Sequence, residues 1–278
     1  MREITTITIT EALAGLCQQA AYLLPEEVEE ALNRALKEET SELGREVLRE
    51  MISNAEIARK DKLPLCQDTG FAIVFVELGQ EVKISGGQLS EAINEGVSRG
   101  FSGLRKSIVA DPFLRINTND NTPAIIHTEI VPGDKIKLGL LLKGGGGENT
   151  SALKMFLPGA SEEEIVDFVV KQVVEAGASA CPPLIVGVGI GGTFDQAPLL
   201  AKKALRRRVG HLNSSHHIAE LEKKMLKRIN ETGVGPMGLG GKTTALAVHL
   251  ETYPCHIASL PVAVNLECHA HRYKETIL

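Results

Sequence analysis

Tryptophan is absent from this chain, and only three tyrosines and seven phenylalanines supply aromatic rings. Stacking platforms for unpaired bases are therefore scarce. Neither sign of charge dominates: thirty Lys and Arg stand against thirty-five Asp and Glu, a net charge of −5. Such a chain has no global field to attract nucleic acid. Long apolar runs are missing too. The longest candidates, such as Pro182–Ile190, are short and broken by Gly and Pro, against the ~18–20 residues a membrane helix needs. The opening MREITTITIT lacks the apolar centre of a signal peptide. These absences predict a cytoplasmic protein with neither nucleic acid nor a membrane as partner. Cysteine is scarce and odd in number: Cys17, Cys66, Cys181, Cys255 and Cys268. In a reducing compartment, that pattern points to free thiols, catalysis or metal binding, not to disulfides.

What is present is an ordinary globular balance, 43% apolar and 23% charged over 278 residues, enough for one large domain or two small ones. Ile9, Ala12, Leu13, Leu16, Cys17, Ala20 and Leu23 recur at three and four and predict an amphipathic helix, with Thr8 and Glu11 as a capping box. Pro25, followed by Glu26 and Glu27, opens a second helical stretch whose apolar positions run from Val28 to Ala55. After Pro64 the texture changes. Strands are predicted over 71–76, 81–84, 124–131, 135–142, 184–190, 245–250 and 257–266, and helices over 89–98, 161–176, 197–208 and 218–230. Ser161 and Glu164 supply a capping box to the third-last of the predicted helices. Residues 111–123, rich in Asn, Thr, Asp and Pro, read as irregular loop. The pattern predicts an α/β (mixed α+β) fold in a single domain over 1–278. A helical N-terminal part over about 1–63 precedes mixed β-sheets flanked by helices over about 64–278.

Three glycine-rich segments stand out. Gly144–Gly147, followed by Glu-Asn-Thr-Ser151, suits a backbone that approaches a ligand closely and offers it N–H groups; a flexible loop is the plainer alternative. Gly238–Thr244 tempts toward a phosphate loop, but the pattern requires Gly at position 236, where Pro236 stands. Gly187, Gly189 and Gly192 match the dinucleotide pattern, yet the acidic residue expected about twenty positions on is missing. The basic cluster from Lys202 to Arg208 reads as a solvated helix face. Cys66, Cys181 and Cys268 sit in turn-forming or polar settings, whereas Cys17 lies on an apolar stripe. Their spacing fits no Cys-x-x-Cys signature, so inert thiols and a three-cysteine metal site both remain open.

Together, Pro64-Leu-Cys-Gln-Asp-Thr-Gly70, Gly144–Ser151, Cys181-Pro-Pro with Gly187–Gly192, and Val262-Ala-Val-Asn-Leu-Glu-Cys-His-Ala-His-Arg272 resemble the iron–sulfur hydro-lyases of the class I fumarate hydratase and L-tartrate dehydratase type. The resemblance spans nearly the whole chain, in the family's order, and is to the α subunit of the two-subunit form. It implies a [4Fe–4S] cluster held by Cys66, Cys181 and Cys268, with one iron lacking a protein ligand. It also implies substrate contacts from Gln67, Arg105 and Gly145, with Lys106 as the competitor for the role of Arg105. Asp68 and His256 would be catalytic, Asp68 assisting proton removal at C3 and His256 acting near the departing hydroxyl. The implied reaction is interconversion of (S)-malate and fumarate, with dehydration of L-tartrate to oxaloacetate as the alternative. A β subunit carrying the remaining catalytic domain is implied, in a heterotetramer of two α and two β chains acting on a small dicarboxylate. Outside this class, the competing reading is a non-catalytic scaffold that binds a nucleotide through Gly238–Thr244.

Overall fold

A computed structural model describes all 278 residues. In chain order the elements are β1 (Arg2–Thr5), α1 (Thr6–Tyr22), α2 (Glu26–Glu38), α3 (Glu42–Asp61), β2 (Phe71–Gly79), β3 (Val82–Ser85), α4 (Leu89–Gly100), β4 (Ile125–Val131), β5 (Ile136–Lys143), α5 (Gly145–Asn149), β6 (Ala152–Phe156), α6 (Glu162–Ala176), β7 (Leu184–Gly191), α7 (Gln196–Ala204), α8 (His216–Asn230), β8 (Ala245–Tyr253), β9 (Leu260–Glu267) and β10 (Tyr273–Ile277). The fold is mixed α/β, as the sequence predicts. The chain groups into two compact units, neither continuous in sequence. One comprises Met1–Leu24, Ala55–Gly145 and Arg272–Leu278; the other comprises Pro25–Asn54 and Gly146–His271.

The first unit is built on a four-stranded sheet in the order β10-β5-β2-β4, where β2 runs parallel to β4 and antiparallel to β5. The strands on either side of Pro132-Gly-Asp134 therefore do not form a hairpin; β2 lies between them. β3 leaves this sheet and pairs with β1 instead. Ala72, Val74 and Val76 of β2 and Leu138, Leu140 and Leu142 of β5 alternate toward one core, which α1 and α4 cover. The two helices pack closely because Gly96 and Gly100 lack side chains. A Cβ at Gly96 would come 2.8 Å from that of Leu13, and one at Gly100 would come 2.5 Å from that of Cys17. Cys17 is fully buried there, and burial pushes its thiol pKa up to about 12, so it stays a neutral, inert core residue. The cap of α1 is Thr5, not Thr8: the Thr5 hydroxyl accepts the N–H of Thr8 at 3.2 Å.

The second unit carries the sheet β6-β9-β7-β8, with β7 parallel to β8 and antiparallel to β9. Val186 and Val188 of β7 face α6 and α8, packing with Val166, Val169, Val173, Met225 and Ile229. The other face of β7 presents Gly187 and Gly189, and α7 lies directly on them. A Cβ at either glycine would fall 2.1 Å from a carbonyl oxygen, of Ala201 and Ala197 respectively. The dinucleotide-like glycines thus serve helix–strand packing. The Ser161–Glu164 capping box of α6 forms as the sequence predicts. The helical stretch after Pro25 is not continuous. It breaks at Glu39–Ser41, between α2 and α3, and the break has a use described below.

No helix is long and apolar enough to cross a membrane.

Candidate active site

Within the first unit, β2 and β5 bring the Pro64–Gly70 turn and the glycine loop together. Cys66 is half-buried and Gln67 exposed at the start of the turn. The Asp68 carboxylate is fixed by backbone donors: the N–H of Gly145 at 2.7 Å on Oδ2, and that of Gly70 at 3.0 Å on Oδ1. The Ser107 hydroxyl donates to Oδ1 at 3.4 Å. Arg272, which is 2% exposed, donates from Nη1 to the Asp68 carbonyl. Gly144 makes this close approach possible, since a Cβ there would stand 3.2 Å from Arg272 Nη2 and 3.3 Å from Asp68 Oδ2. The Gly145 N–H, expected to meet a ligand, is directed to Asp68.

Arg105 and its competitor Lys106 differ plainly. Lys106 folds back, and its Nζ donates to the carbonyls of Phe101 at 2.8 Å and Leu104 at 2.7 Å. Arg105 is exposed. Its carbonyl accepts a 2.6 Å bond from the hydroxyl of Thr69, the residue after Asp68.

Within the second unit, Cys181 and Cys268 come together. The Cys181 carbonyl lies 3.0 Å from His269 Nδ1 and accepts the His269 N–H at 3.5 Å. Both cysteines are half-buried and neither is in a disulfide. Cys181 has left-handed backbone, φ 54°, ψ 62°, a conformation costly for a residue with a Cβ and common at functional sites. The chemistry of these two thiols, partly exposed in polar turns and committed to no core, suits iron–sulfur ligation. In the first unit, Cys66 has a like setting, half-buried in a turn. His256 lies elsewhere in the unit. It is exposed and lines a surface pocket of about 380 Å³ with Cys255, Tyr253, Phe194 and Met155, from which Cys181 and Cys268 are absent. Its Nδ1 accepts the Ala258 N–H at 3.1 Å.

The cluster after the glycines is tied down by its own side chains. Glu148 accepts from Lys202 Nζ at 2.7 Å and from Asn265 at 3.1 Å. The Ser151 hydroxyl accepts from Asn265 at 2.9 Å and from the N–H of Leu266 at 3.1 Å. Two members of the basic 202–208 cluster are thus internal partners and not merely solvated charges: Lys202, and Arg207, which donates to the buried Glu222 at 2.7 Å.

The phosphate-loop-like segment is already occupied. The fully buried Glu39, at the break between α2 and α3, accepts N–H bonds from Lys242 and Thr243 at 2.8 and 3.2 Å, and from Thr40 and Ser41 at 2.8 and 2.9 Å. Gly241 (φ 129°) permits the wrap, since a Cβ there would lie 2.8 Å from Glu39 Oε2. A phosphate brought to this nest would meet a buried carboxylate, which removes the basis for a nucleotide-binding scaffold. Burial raises the Glu39 pKa, but the four backbone bonds more than offset it and hold it below the usual carboxylate value. Its folded-state pKa is thus depressed, so its stabilisation is present above the ordinary carboxylate pKa and fades as pH falls through the lowered value. Glu39→Gln turns donor against donor and should cost on the order of 3 kcal/mol, read as a Tm loss of about 6–12 °C at pH 7. The gap between the two proteins should narrow below about pH 4; equal Tm values at pH 7 would contradict the assignment.

Thr69, Ser107, Asn121 and Arg272, which surround Asp68 and Arg105, carry no role in the sequence reading. Arg272 closes a quoted motif, but no local pattern reveals what it touches.

With this geometry in view, the comparisons with known proteins fall into place. Residues 10–277 match the family described as Fumarate hydratase (Fumerase), and the chain belongs to that family of hydro-lyases. Among its relatives, a Methanocaldococcus jannaschii protein, provisionally named L(+)-tartrate dehydratase subunit alpha, is 42% identical over 272 residues, covering 95% of each chain. The L(+)-tartrate dehydratase subunit alpha of Escherichia coli strain K12 is 31% identical over 271 residues, covering 95% of this chain and 88% of its own. That of Shigella sonnei matches with the same figures.

Proposed function

We propose that this chain is the cluster-bearing α subunit of a [4Fe–4S] hydro-lyase that dehydrates L(+)-tartrate to oxaloacetate in the cytoplasm. It acts with a β subunit, in an assembly of two α and two β chains. The observation that carries this reading is the near full-length similarity to chains named as α subunits of L(+)-tartrate dehydratase. It shifts the substrate from malate, the first expectation from the motifs, to tartrate, which differs from malate by one hydroxyl.

In this reading Cys66, Cys181 and Cys268 hold the cluster, whose iron without a protein ligand supplies, when bound, a Lewis acid for the departing hydroxyl. Arg105 pairs with one substrate carboxylate through its planar fork of donors. Gln67 contacts the substrate beside it. Asp68, its carboxylate turned by Gly145 and Gly70, supports removal of the C3 proton, and the β subunit supplies the base itself. His256, expected near the leaving oxygen, lies before the Leu260 end of β9 whereas Cys268 follows its Glu267 end, so no proton transfer is assigned to it within this chain. Loss of hydroxide from C2 and a proton from C3 gives water and the enol of oxaloacetate, which rearranges to the ketone.

The test is a rate comparison with α and β subunits purified together without oxygen. L(+)-tartrate should be turned over at least tenfold faster than (S)-malate, judged by kcat/KM, by a brown protein with broad visible absorption. A preference for malate would overturn the substrate assignment and restore the fumarate hydratase reading. A colourless protein, inert on both acids, would overturn the hydro-lyase reading itself.

A further inference from the structure

We propose that Asn121 is a positioning residue that sets Asp68 and Arg105 at a fixed separation; this rests on the roles just given to those two residues. Asn121 is fully buried in a loop whose other residues are exposed or only partly buried. Its side-chain oxygen accepts the N–H of Ser107 at 2.7 Å, and its amide nitrogen donates to the carbonyl of Gly70 at 3.2 Å. Ser107 stands two residues after Arg105, and Gly70 stands two after Asp68. One planar amide therefore joins the backbones of the two segments that carry the candidate substrate contacts.

The choice of residue follows from the two bonds. The Ser107 end requires an acceptor and the Gly70 end a donor, which an amide provides and a carboxylate does not. The backbone at Asn121 has φ +65°, a left-handed conformation that Asn tolerates far better than branched residues.

Thr69 adds a parallel tie. It is 2% exposed, and its hydroxyl donates to the Arg105 carbonyl at 2.6 Å and lies 3.2 Å from that of Ser107. Behind the Arg105 segment, Lys106 is bolted by its Nζ to Phe101 and Leu104, and its carbonyl accepts from Asn117 at 3.0 Å. The segment is thus braced on both sides, with Arg105 left pointing from a rigid base. Since about 1 Å of misplacement can cost on the order of 10²-fold in rate, a brace of this kind is consequential even though it touches no substrate.

The experiment uses the anaerobic complex with its β subunit, with L(+)-tartrate and (S)-malate as probes. Asn121→Asp exchanges the donor for an acceptor at the same size. Thr69→Val removes the parallel tie and serves as the second variant should Asn121→Asp fold poorly. Asn121→Asp should lower kcat/KM about 100-fold, more through kcat than through KM, and Thr69→Val about tenfold. Iron content, visible spectrum and secondary structure should match those of the unmodified complex. In an Arg105→Ala background, Asn121→Asp should cost less than threefold further, because the separation it maintains has lost its purpose. Normal kcat and KM in folded, iron-loaded variants would overturn the proposal. So would loss of fold or iron in both variants, or full additivity with Arg105→Ala, each of which reduces Asn121 to a structural residue. An inactive unmodified complex, or normal rates in Asp68→Asn and Arg105→Ala, would instead bring down the functional reading on which the proposal stands.

Discussion

Cys181→Ser or Cys268→Ser should strip most of the iron from the protein and abolish its turnover, whereas Cys17→Ser and Cys255→Ser should leave a brown, active enzyme. The reason is thiolate availability. A cluster is held by deprotonated sulfur, and Cys17 sits in a dry helix–helix contact where burial pushes its pKa to about 12. Cys181 and Cys268 lie half-exposed, drawn together by the bonds between the Cys181 carbonyl and His269. Cys66 should behave like them. Iron content and the visible spectrum of protein prepared without oxygen provide the measurement. A bleached Cys255→Ser beside a coloured Cys181→Ser would move the cluster to the pocket that Cys255 and His256 line.

The second large effect is at Arg105. Its replacement by Ala should lower kcat/KM by tens- to thousands-fold with the cluster intact, since removing one partner of a charge-assisted pair leaves the substrate carboxylate uncompensated. Lys106→Met should separate from it cleanly. The Lys106 ammonium is spent on two carbonyls of its own chain, so its loss should appear mainly as a lower Tm and only secondarily in kinetics. Steady-state rates and thermal melts of both variants distinguish the two. Near-normal kinetics in Arg105→Ala would pass the carboxylate to Lys106 or to the β subunit.

Features governed by neighbours in sequence were readable in advance. Ser161 and Glu164 announce the start of α6 because a capping box closes within three residues. The stripe through Cys17 identifies a buried thiol because helical period alone sets its face. The reading failed where a partner lies far along the chain. Thr5 and Thr8 are equally good caps on paper, and only the backbone's entry from β1 selects Thr5. Strands β6 and β10 are five residues each, and their pattern is too weak to register without the β9 and β5 they pair with. Gly238–Thr244 is recognisably a nest, but its occupant, Glu39, is 203 residues away from Lys242. The candidate site divides in the same way. The motifs point to Cys66, Asp68, Cys181 and Cys268. What orients Asp68, a glycine N–H 77 residues on and an arginine 204 residues on, exists only once the sheet has formed.

The discontinuity of the first unit has a kinetic meaning. Its sheet ends on β10, whose pairing with β5 joins Tyr273 to Leu141, and between them the chain departs to make most of the other unit. An unfolded excursion of that length resists closure, and contacts across it form slowly. Once the excursion has folded, its two ends are covalently delivered side by side at Gly145 and Arg272, and the cost of closing the loop has already been met. Arg272, which steadies Asp68 across 204 residues of sequence, stands on the far side of that loop, so this contact carries the closure cost with it.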